Sequence, residues 1–249
     1  MLHSLPFLAF VAIVASRDPP QSLTRCYIDD PNLSECIKNA ALEAQPLLRK
    51  GIEEYGIPSF FPLILKNFQV NHQSHDANFT VRATDLKIYG MDLYSLSDVR
   101  FCPKKPKLKG KLWFGNLHIF SNYVMNGHTI NLPIVGEGFY KSIVSPSTIN
   151  FEITGQRVNG DVTLESVKLD FQVDKMWVQF DGLVTGEGPW GNTNEVLAES
   201  EEAVAKALSP VFGKVFETYV TKYMRWLLEE IPFSTIFPCC INNSTTSSA

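Results

Sequence analysis

The residues best suited to chemistry in this 249-residue chain are its five cysteines, its histidines and one glycine-rich turn. Cys26 and Cys36 bracket the stretch CYIDDPNLSEC, with Asp29, Asp30 and Pro31 between them. Their spacing is not the C-x-x-C of a redox pair, and no thiol or imidazole nearby completes a tetrahedral zinc site. The stretch therefore reads as a disulfide staple across a short turn, with Ser34 as N-cap of the helix that follows, and is worth about 2–4 kcal/mol by loop-entropy arguments. Cys102, Cys239 and Cys240 complete an odd total. The adjacent Cys239 and Cys240 do not readily bond to each other, so one of them is expected to pair with Cys102. His72 and His75 have H-x-x-H spacing in a polar, hairpin-like segment that reads as a surface loop rather than a zinc site, and His118 and His128 have no Cys or acidic neighbour in ligand register. The turn GEGPWG, Gly186 to Gly191, matches G-x-G-x-x-G, but no parallel strand follows to supply an acidic ribose partner, and Pro189 and Trp190 would crowd a pyrophosphate. There is no G-x-S-x-G elbow and no cysteine with a nucleophile's local signature. No catalytic residue, metal or cofactor is expected, and the chain reads as something other than an enzyme.

The elements that would position a site are clearer than any reactive group. Ile37, Ala41, Ala44, Leu48 and Ile52 have helical spacing, stopped by Gly56 and Pro58, and IPSFFPLILKNFQV then reads as a buried extended crossing. From about residue 67 to 183 the pattern has period two: Phe79, Val81 and Ala83; Leu117, Ile119, Ser121 and Tyr123; Ile149, Phe151 and Ile153; Val167, Leu169, Phe171 and Val173; Met176, Val178 and Phe180. Leu164 joins its strand's apolar face only across a one-residue bulge. Asn126-Gly127 and Asn159-Gly160 read as hairpin turns, and Gly136 and Gly138 as strand glycines that let a sheet bend. Lys105, Lys107, Lys109 and Lys111 alternate with Pro106, Leu108 and Gly110, which places all four ammonium groups on one solvated face.

The last element, about Glu195 to Ile231, reads as one long helix, with an expected kink at Pro210 and a stop at Pro232. Val204, Leu208, Val211, Val215, Tyr219 and Trp226 form one apolar stripe, which Phe212, Phe216, Val220, Tyr223 and Leu227 widen. So wide a face needs more than a short neighbouring helix to cover it. The expected fold is α+β: a long C-terminal helix wrapped by a strongly curved antiparallel sheet, an elongated roll with an internal apolar tunnel.

Composition bounds the function. Charged residues make up 19% of the chain and the formal net charge is −4, which argues against nucleic acid as a partner. Leu5 to Val14 form an apolar core ending in small residues, so residues 1–16 read as a secretory leader, too short to span a bilayer. Residues 17–240 would then be one domain and 241–249 a disordered tail. Sequons at Asn32, Asn78, Asn242 and Asn243 fit an extracellular glycoprotein.

The ordered set of motifs resembles the insect takeout and juvenile hormone binding protein family. After the leader and CYIDDPNLSEC, LEAQPLLRKGIEEYGIPSFFPL is similar to that family's helix and Gly-Ile-Pro turn, NFTVRATDLKIYGM to its strand and Tyr-Gly turn, and LHIFSNYVMNGHTINLPIVGEGF to its Tyr-rich strand, hairpin and Leu-Pro-Ile segment. VKLDFQVDKMWVQFDGL resembles its late strand pair and LLEEIPFSTIFP its Pro-punctuated finish. The resemblance implies a secreted, tubular, non-enzymatic binder of juvenile hormone or other lipophilic ligands. VTGEGPWGNTNEV lacks the family's Asn-Gly-Asp-like turn, and Cys102, Cys239 and Cys240 add to the single cysteine pair of the takeout branch, which the chain resembles more.

The expected function is reversible carriage of a small hydrophobic ligand, a juvenile hormone-like terpenoid, fatty acid or related lipid, with no stable membrane insertion and no protein partner specified. The alternative is a secreted interaction protein with a self-filled core that docks to a receptor or membrane. Strand alternation and helix phase give the expected lining: Phe79, Val81, Phe114, Leu117, Ile119, Tyr123, Ile134, Tyr140, Phe151, Ile153, Leu169, Phe171, Val178 and Phe180 on strands, and Leu208, Val211, Phe212, Val215 and Tyr219 on the long helix. Tyr123, Tyr140 and Tyr219 are the candidate polar anchors, because a phenol hydrogen-bonds to an ester, epoxide or carboxylate.

Overall fold

The computed structural model describes residues 24–73, 77–129, 132–184 and 193–239. The leader, His75, the turn from Gly186 to Gly191, Cys240 and the tail with Asn242 and Asn243 lie outside the described residues. Two helices come first among the described residues, α1 (Leu33–Glu43) and α2 (Gln45–Lys50). The sequence reading expected a single helix here. Pro46 lacks the N–H that would continue the ladder, so the helix restarts at Ala44 with proline in its first turn. Ser34 is not a cap either: it lies within α1, and its hydroxyl accepts the Phe101 N–H at 3.0 Å, tying the helix to a strand.

Eleven strands follow among the described residues: β1 (Leu63–Leu65), β2 (Phe68–Gln73), β3 (Ala77–Tyr89), β4 (Tyr94–Cys102), β5 (Lys107–Phe114), β6 (Leu117–Thr129), β7 (Leu132–Val144), β8 (Ser147–Val158), β9 (Asp161–Val173), β10 (Met176–Phe180) and β11 (Leu183–Val184). They pair antiparallel, but in two sheets rather than one meander. One runs β1-β3-β6-β7-β10, with β2 on β3 and β11 on β7; the other runs β4-β5-β8-β9. Successive hairpins alternate between the sheets, so the chain turns a corner after β3, β5, β7 and β9. The corners lock together. A Cβ on Gly90 would lie 2.8 Å from Asn116 O, and the Ser145 N–H donates to Lys175 O at 3.0 Å while the Lys175 N–H donates to Ser145 Oγ at 3.1 Å.

Alternation is regular along β6, where Leu117, Ile119, Ser121 and Tyr123 are buried between exposed or half-buried neighbours. The bulge that Leu164 required is present: Thr154 pairs with Ser166, and Gly155 with Leu164. A second bulge between Thr84 and Lys87, with Asp85 at φ 51°, was not foreseen. It switches the buried face of β3 from Ala83 to Leu86 and Ile88. Asn159-Gly160 is the β8–β9 turn, with both residues at positive φ. Asn126-Gly127 is not a turn: both residues lie inside β6. Gly127 is there for clearance, since a Cβ would stand 2.3 Å from Asn78 O and 2.4 Å from Phe79 Cα. Lys107 and Lys109 both reach Glu152 at 2.6 Å, and their hydrogen bonds hold its carboxyl down to about 2, whereas Lys105 lies in the preceding turn rather than on that face.

The final helix is divided. α3 (Thr193–Ala198) and α4 (Glu201–Glu230) are separated by a turn at 199–200, and α5 (Phe233–Ile236) follows Pro232. At about 1.5 Å per residue, α4 is roughly 45 Å long. Pro210 lies within it, and the preceding Ser209 hydroxyl donates back to Ala205 O at 2.6 Å. α4 runs along β9 and β10, the strands where the chain crosses from one sheet to the other, and touches β2 more lightly. The Cys26–Cys36 disulfide is formed, with Cα atoms 5.8 Å apart, and Asp30 Oδ1 accepts the Asn32 N–H at 2.7 Å within its loop. Cys102 and Cys239 are free, exposed thiols, so Cys102 is not bridged as expected. The reason is strand alternation. Phe101 turns its ring onto Phe237 (5.1 Å, stacked) and Phe233 (6.3 Å), which sends its neighbour Cys102 to the opposite face.

Replacing Gly127 by alanine should cost about 1–3 kcal/mol, because the new methyl forces β3 and β6 apart. Urea denaturation of the variant would register this as a lower midpoint; an unchanged midpoint would contradict the close approach.

Candidate functional site

The two sheets and α4 bury one continuous apolar cluster. Leu86, Ile88, Leu117, Ile119, Tyr123, Tyr140, Val144, Met176 and Val178 come from the larger sheet, Phe114, Ile149 and Phe171 from the smaller, and Val204, Ala205, Phe212, Val215 and Phe216 from α4. Of the expected lining, Phe114, Leu117, Ile119, Tyr123, Tyr140, Phe171, Val178, Phe212 and Val215 are in this cluster, and Val81, Leu169, Phe180, Leu208 and Tyr219 pack against it. Phe79, Ile134, Phe151, Ile153 and Val211 are half-buried outside it. Phe79 and Ile134 lie toward the far ends of β3 and β7, both in register with Gly127. Phe151 spends its ring on Gly110, where a Cβ would stand 2.5 Å from its Cζ. Val211 lies beside the buried face of α4, which the adjacent Phe212 and Gly213 occupy instead. Sequence reasoning missed Leu86, Ile88, Val144 and Ile149's neighbour Ser147; the alternation through Tyr140 and Ser142 would have found Val144.

At Gly213 α4 packs on β9 at ordinary contact distance: a Cβ there would meet Phe171 Cβ at 3.7 Å and Leu169 O at 3.8 Å. Phe171 and Phe216 make an edge contact across the seam at 5.9 Å. A groove of about 1090 Å³ opens along it, lined by Leu169, Phe171 and Gly213 together with charged residues that include Lys175, Glu202, Lys206 and Lys214.

The aromatic centre is tightly positioned. Asn194 at the start of α3 donates to Phe180 O and accepts from Phe180 N, both at 2.9 Å, and so fixes the end of β10. The Phe180 ring packs on Tyr140 (4.8 Å) and Tyr123 (5.2 Å). Gly136 leaves room for the chain at Gly182 and Leu183: a Cβ would stand 2.7 Å from Gly182 O and 3.0 Å from Tyr123 Oη. Clearance, rather than sheet bending, accounts for this glycine.

The three candidate anchors are not equivalent. Tyr123 donates to Asp181 O at 2.8 Å, and Tyr219 to Lys66 O at 3.3 Å, so both hydroxyls are committed. Tyr140 Oη is buried without a partner, as are Ser142 Oγ and Ser147 Oγ. Burial pushes the Tyr140 phenol well above its ordinary value, opposed in part by the facing Ser142 hydroxyl, and keeps it protonated. At the corner after β3, the buried Asp92 carboxylate meets Arg49 Nη1 at 2.9 Å, and Arg49 lies 4.2 Å over the Phe61 ring. Among the described residues, no group of three or more His, Cys, Asp or Glu is placed to hold a metal, and no helix is long and apolar enough to cross a membrane.

The family model for haemolymph juvenile hormone binding protein matches residues 6–238. The chain belongs to the haemolymph juvenile hormone binding protein family. Among solved structures it is similar to Takeout 1 of Epiphyas postvittana, with a TM-score of 0.59 and 19% identity over 87% of this chain and 100% of that one. That likeness concerns the fold: antiparallel sheets and a long C-terminal helix in an α+β arrangement, without a closed barrel. A lipopolysaccharide binding protein aligns with a TM-score of only 0.35 and 15% identity, over 79% of this chain and 40% of its own, too low to bear on the architecture. Curated protein sequences return no match. The family assignment agrees with the resemblance carried by the sequence motifs.

Replacing Arg49 by methionine should destabilise the protein by about 1–3 kcal/mol, since it leaves the Asp92 carboxylate buried without a countercharge. Adding Asp92→Asn to that variant should recover part of the loss in urea unfolding. Equal midpoints for wild type and R49M would show that the pair carries no stability.

Proposed function

We propose that this chain is a secreted carrier that reversibly binds one small hydrophobic ligand, a juvenile hormone-like terpenoid, fatty acid or related lipid, in a tunnel between its two sheets and α4. Residues 1–16 would be its leader, 17–240 a single lipid-binding domain and 241–249 a tail, and the protein would not be an enzyme. The observation that carries the reading is the continuous apolar cluster drawn from both sheets and α4 in a member of this family. Burying ~300 Å² of apolar ligand surface at ~25 cal/mol per Å² gives roughly 7 kcal/mol. Association costs at least about 4 kcal/mol of that, so tight binding needs a polar contact inside as well.

A second reading has an observation of its own. On the outer face of the larger sheet, Phe61, Tyr89, Phe120 and Phe139 form a row of ring contacts, each 5.9–6.2 Å, with Phe61 and Phe139 exposed. Such a row favours a protein that docks to a partner or membrane surface.

Organic extraction of the protein purified from eukaryotic culture medium, followed by mass spectrometry, separates the two. A carrier should yield close to one lipid per chain. A lipid-free protein that also fails to take up the fluorescent apolar probe N-phenyl-1-naphthylamine would favour docking.

A further inference from the structure

Buried polar groups in folded proteins find partners, and a buried hydroxyl left alone costs stability. Among the described residues several other core hydroxyls are satisfied internally, while Ser147 Oγ, on the smaller sheet, is a further buried hydroxyl without a partner. Ser121 donates to Thr84 O and Asn122 O, Tyr123 to Asp181 O, and Tyr94 to Ala41 O. Tyr140 and Ser142, two residues apart on β7 and so on one face, are the contrast: both are buried, their hydroxyls interact with each other, and neither makes a hydrogen bond of good geometry. Ser142 is fully buried, in register with Ile119 on one side and Val178 on the other, themselves 2% and 1% exposed. The strand partners of Tyr140 are Ser121, whose hydroxyl is committed, and Phe180, whose ring packs against it. No residue in register with either hydroxyl carries a charge.

We infer that the paired hydroxyls of Tyr140 and Ser142 are the polar subsite of the interior and hydrogen-bond an uncharged oxygen acceptor, such as an ester or ketone carbonyl, on an otherwise apolar ligand. The inference rests on the carrier reading and sharpens it. Tyr140 stays protonated and donates, and Ser142 either donates alongside it or accepts from it. A neutral carbonyl completes the pair at little desolvation cost. An ionised carboxylate would enter the same apolar surroundings with no facing cation, so free fatty acids at neutral pH should be poor ligands.

The experiment compares methyl laurate, pentadecane and lauric acid as competitors of N-phenyl-1-naphthylamine, at pH 7.5, on wild-type protein, Tyr140→Phe and Ser142→Ala. Wild type should prefer methyl laurate to both others. Tyr140→Phe, which removes only the hydroxyl, should weaken methyl laurate about tenfold, leave pentadecane unchanged and keep or raise the thermal midpoint; Ser142→Ala should act in the same direction. If both variants keep the wild-type preference, or if wild type prefers lauric acid, the subsite is overturned and the hydroxyls are served by an internal water. A marked fall in thermal midpoint for Tyr140→Phe would also overturn it, because the hydroxyl would then have a partner within the fold. Wild-type protein that binds neither the fluorescent probe nor any competitor would instead remove the carrier reading itself.

Discussion

The contact on which the rest of the structure depends is the burial of α4 along β9 and β10, where the chain passes from the smaller sheet to the larger. Each sheet has one apolar face, and two such faces leave a seam at their edges through which water would reach the interior. Gly213 of α4 packs on β9, and Val204, Ala205, Phe212, Val215 and Phe216 fill the seam. Full burial of each such large side chain contributes about 1.5–3 kcal/mol. The helix is therefore a wall of the interior as well as a cover. Its own propensity would not hold it straight, since Pro210 removes a ladder hydrogen bond and packing must compensate.

Much of this architecture is legible in the residues. Period-two alternation identifies the inner faces of β6, β9 and β10, and the need for a bulge near Leu164 follows from the same count. The wide apolar arc of the last helix shows that a sheet must cover it. Other features are not local. Whether hairpins share one sheet or alternate between two depends on which corners touch, as when Gly90 meets Asn116, and alternation is the same in either arrangement. The bulge at Asp85 switches the buried face of β3 without a glycine or proline to mark it. Asn126-Gly127 has the composition of a turn, yet its glycine serves the approach of Asn78 and Phe79 from the next strand.

The candidate site divides in the same way. Most of the expected lining is in the cluster or against it because burial follows from alternation alone. Of the residues outside it, Phe79 and Ile134 lie toward strand ends, Phe151 covers Gly110 and Val211 lies beside the face that α4 buries, whereas Ile153, in mid-strand on β8, has the right phase and is half-buried outside the cluster. Which tyrosine has a free hydroxyl is a tertiary property. Tyr123 and Tyr219 find carbonyls 58 and 153 residues away in sequence, and no local pattern distinguishes them from Tyr140. Asn194 was invisible for the same reason: its role exists only because α3 folds back onto the end of β10.

An apolar interior enclosed by two sheets and one helix would recognise its ligand through one small polar pair. A crystal structure of the protein grown with methyl laurate tests this most directly. The acyl chain should lie between the two sheets and α4, with the ester carbonyl oxygen about 3 Å from Tyr140 Oη. Density for the ester only on the outer face, along Phe61, Tyr89, Phe120 and Phe139, would contradict it.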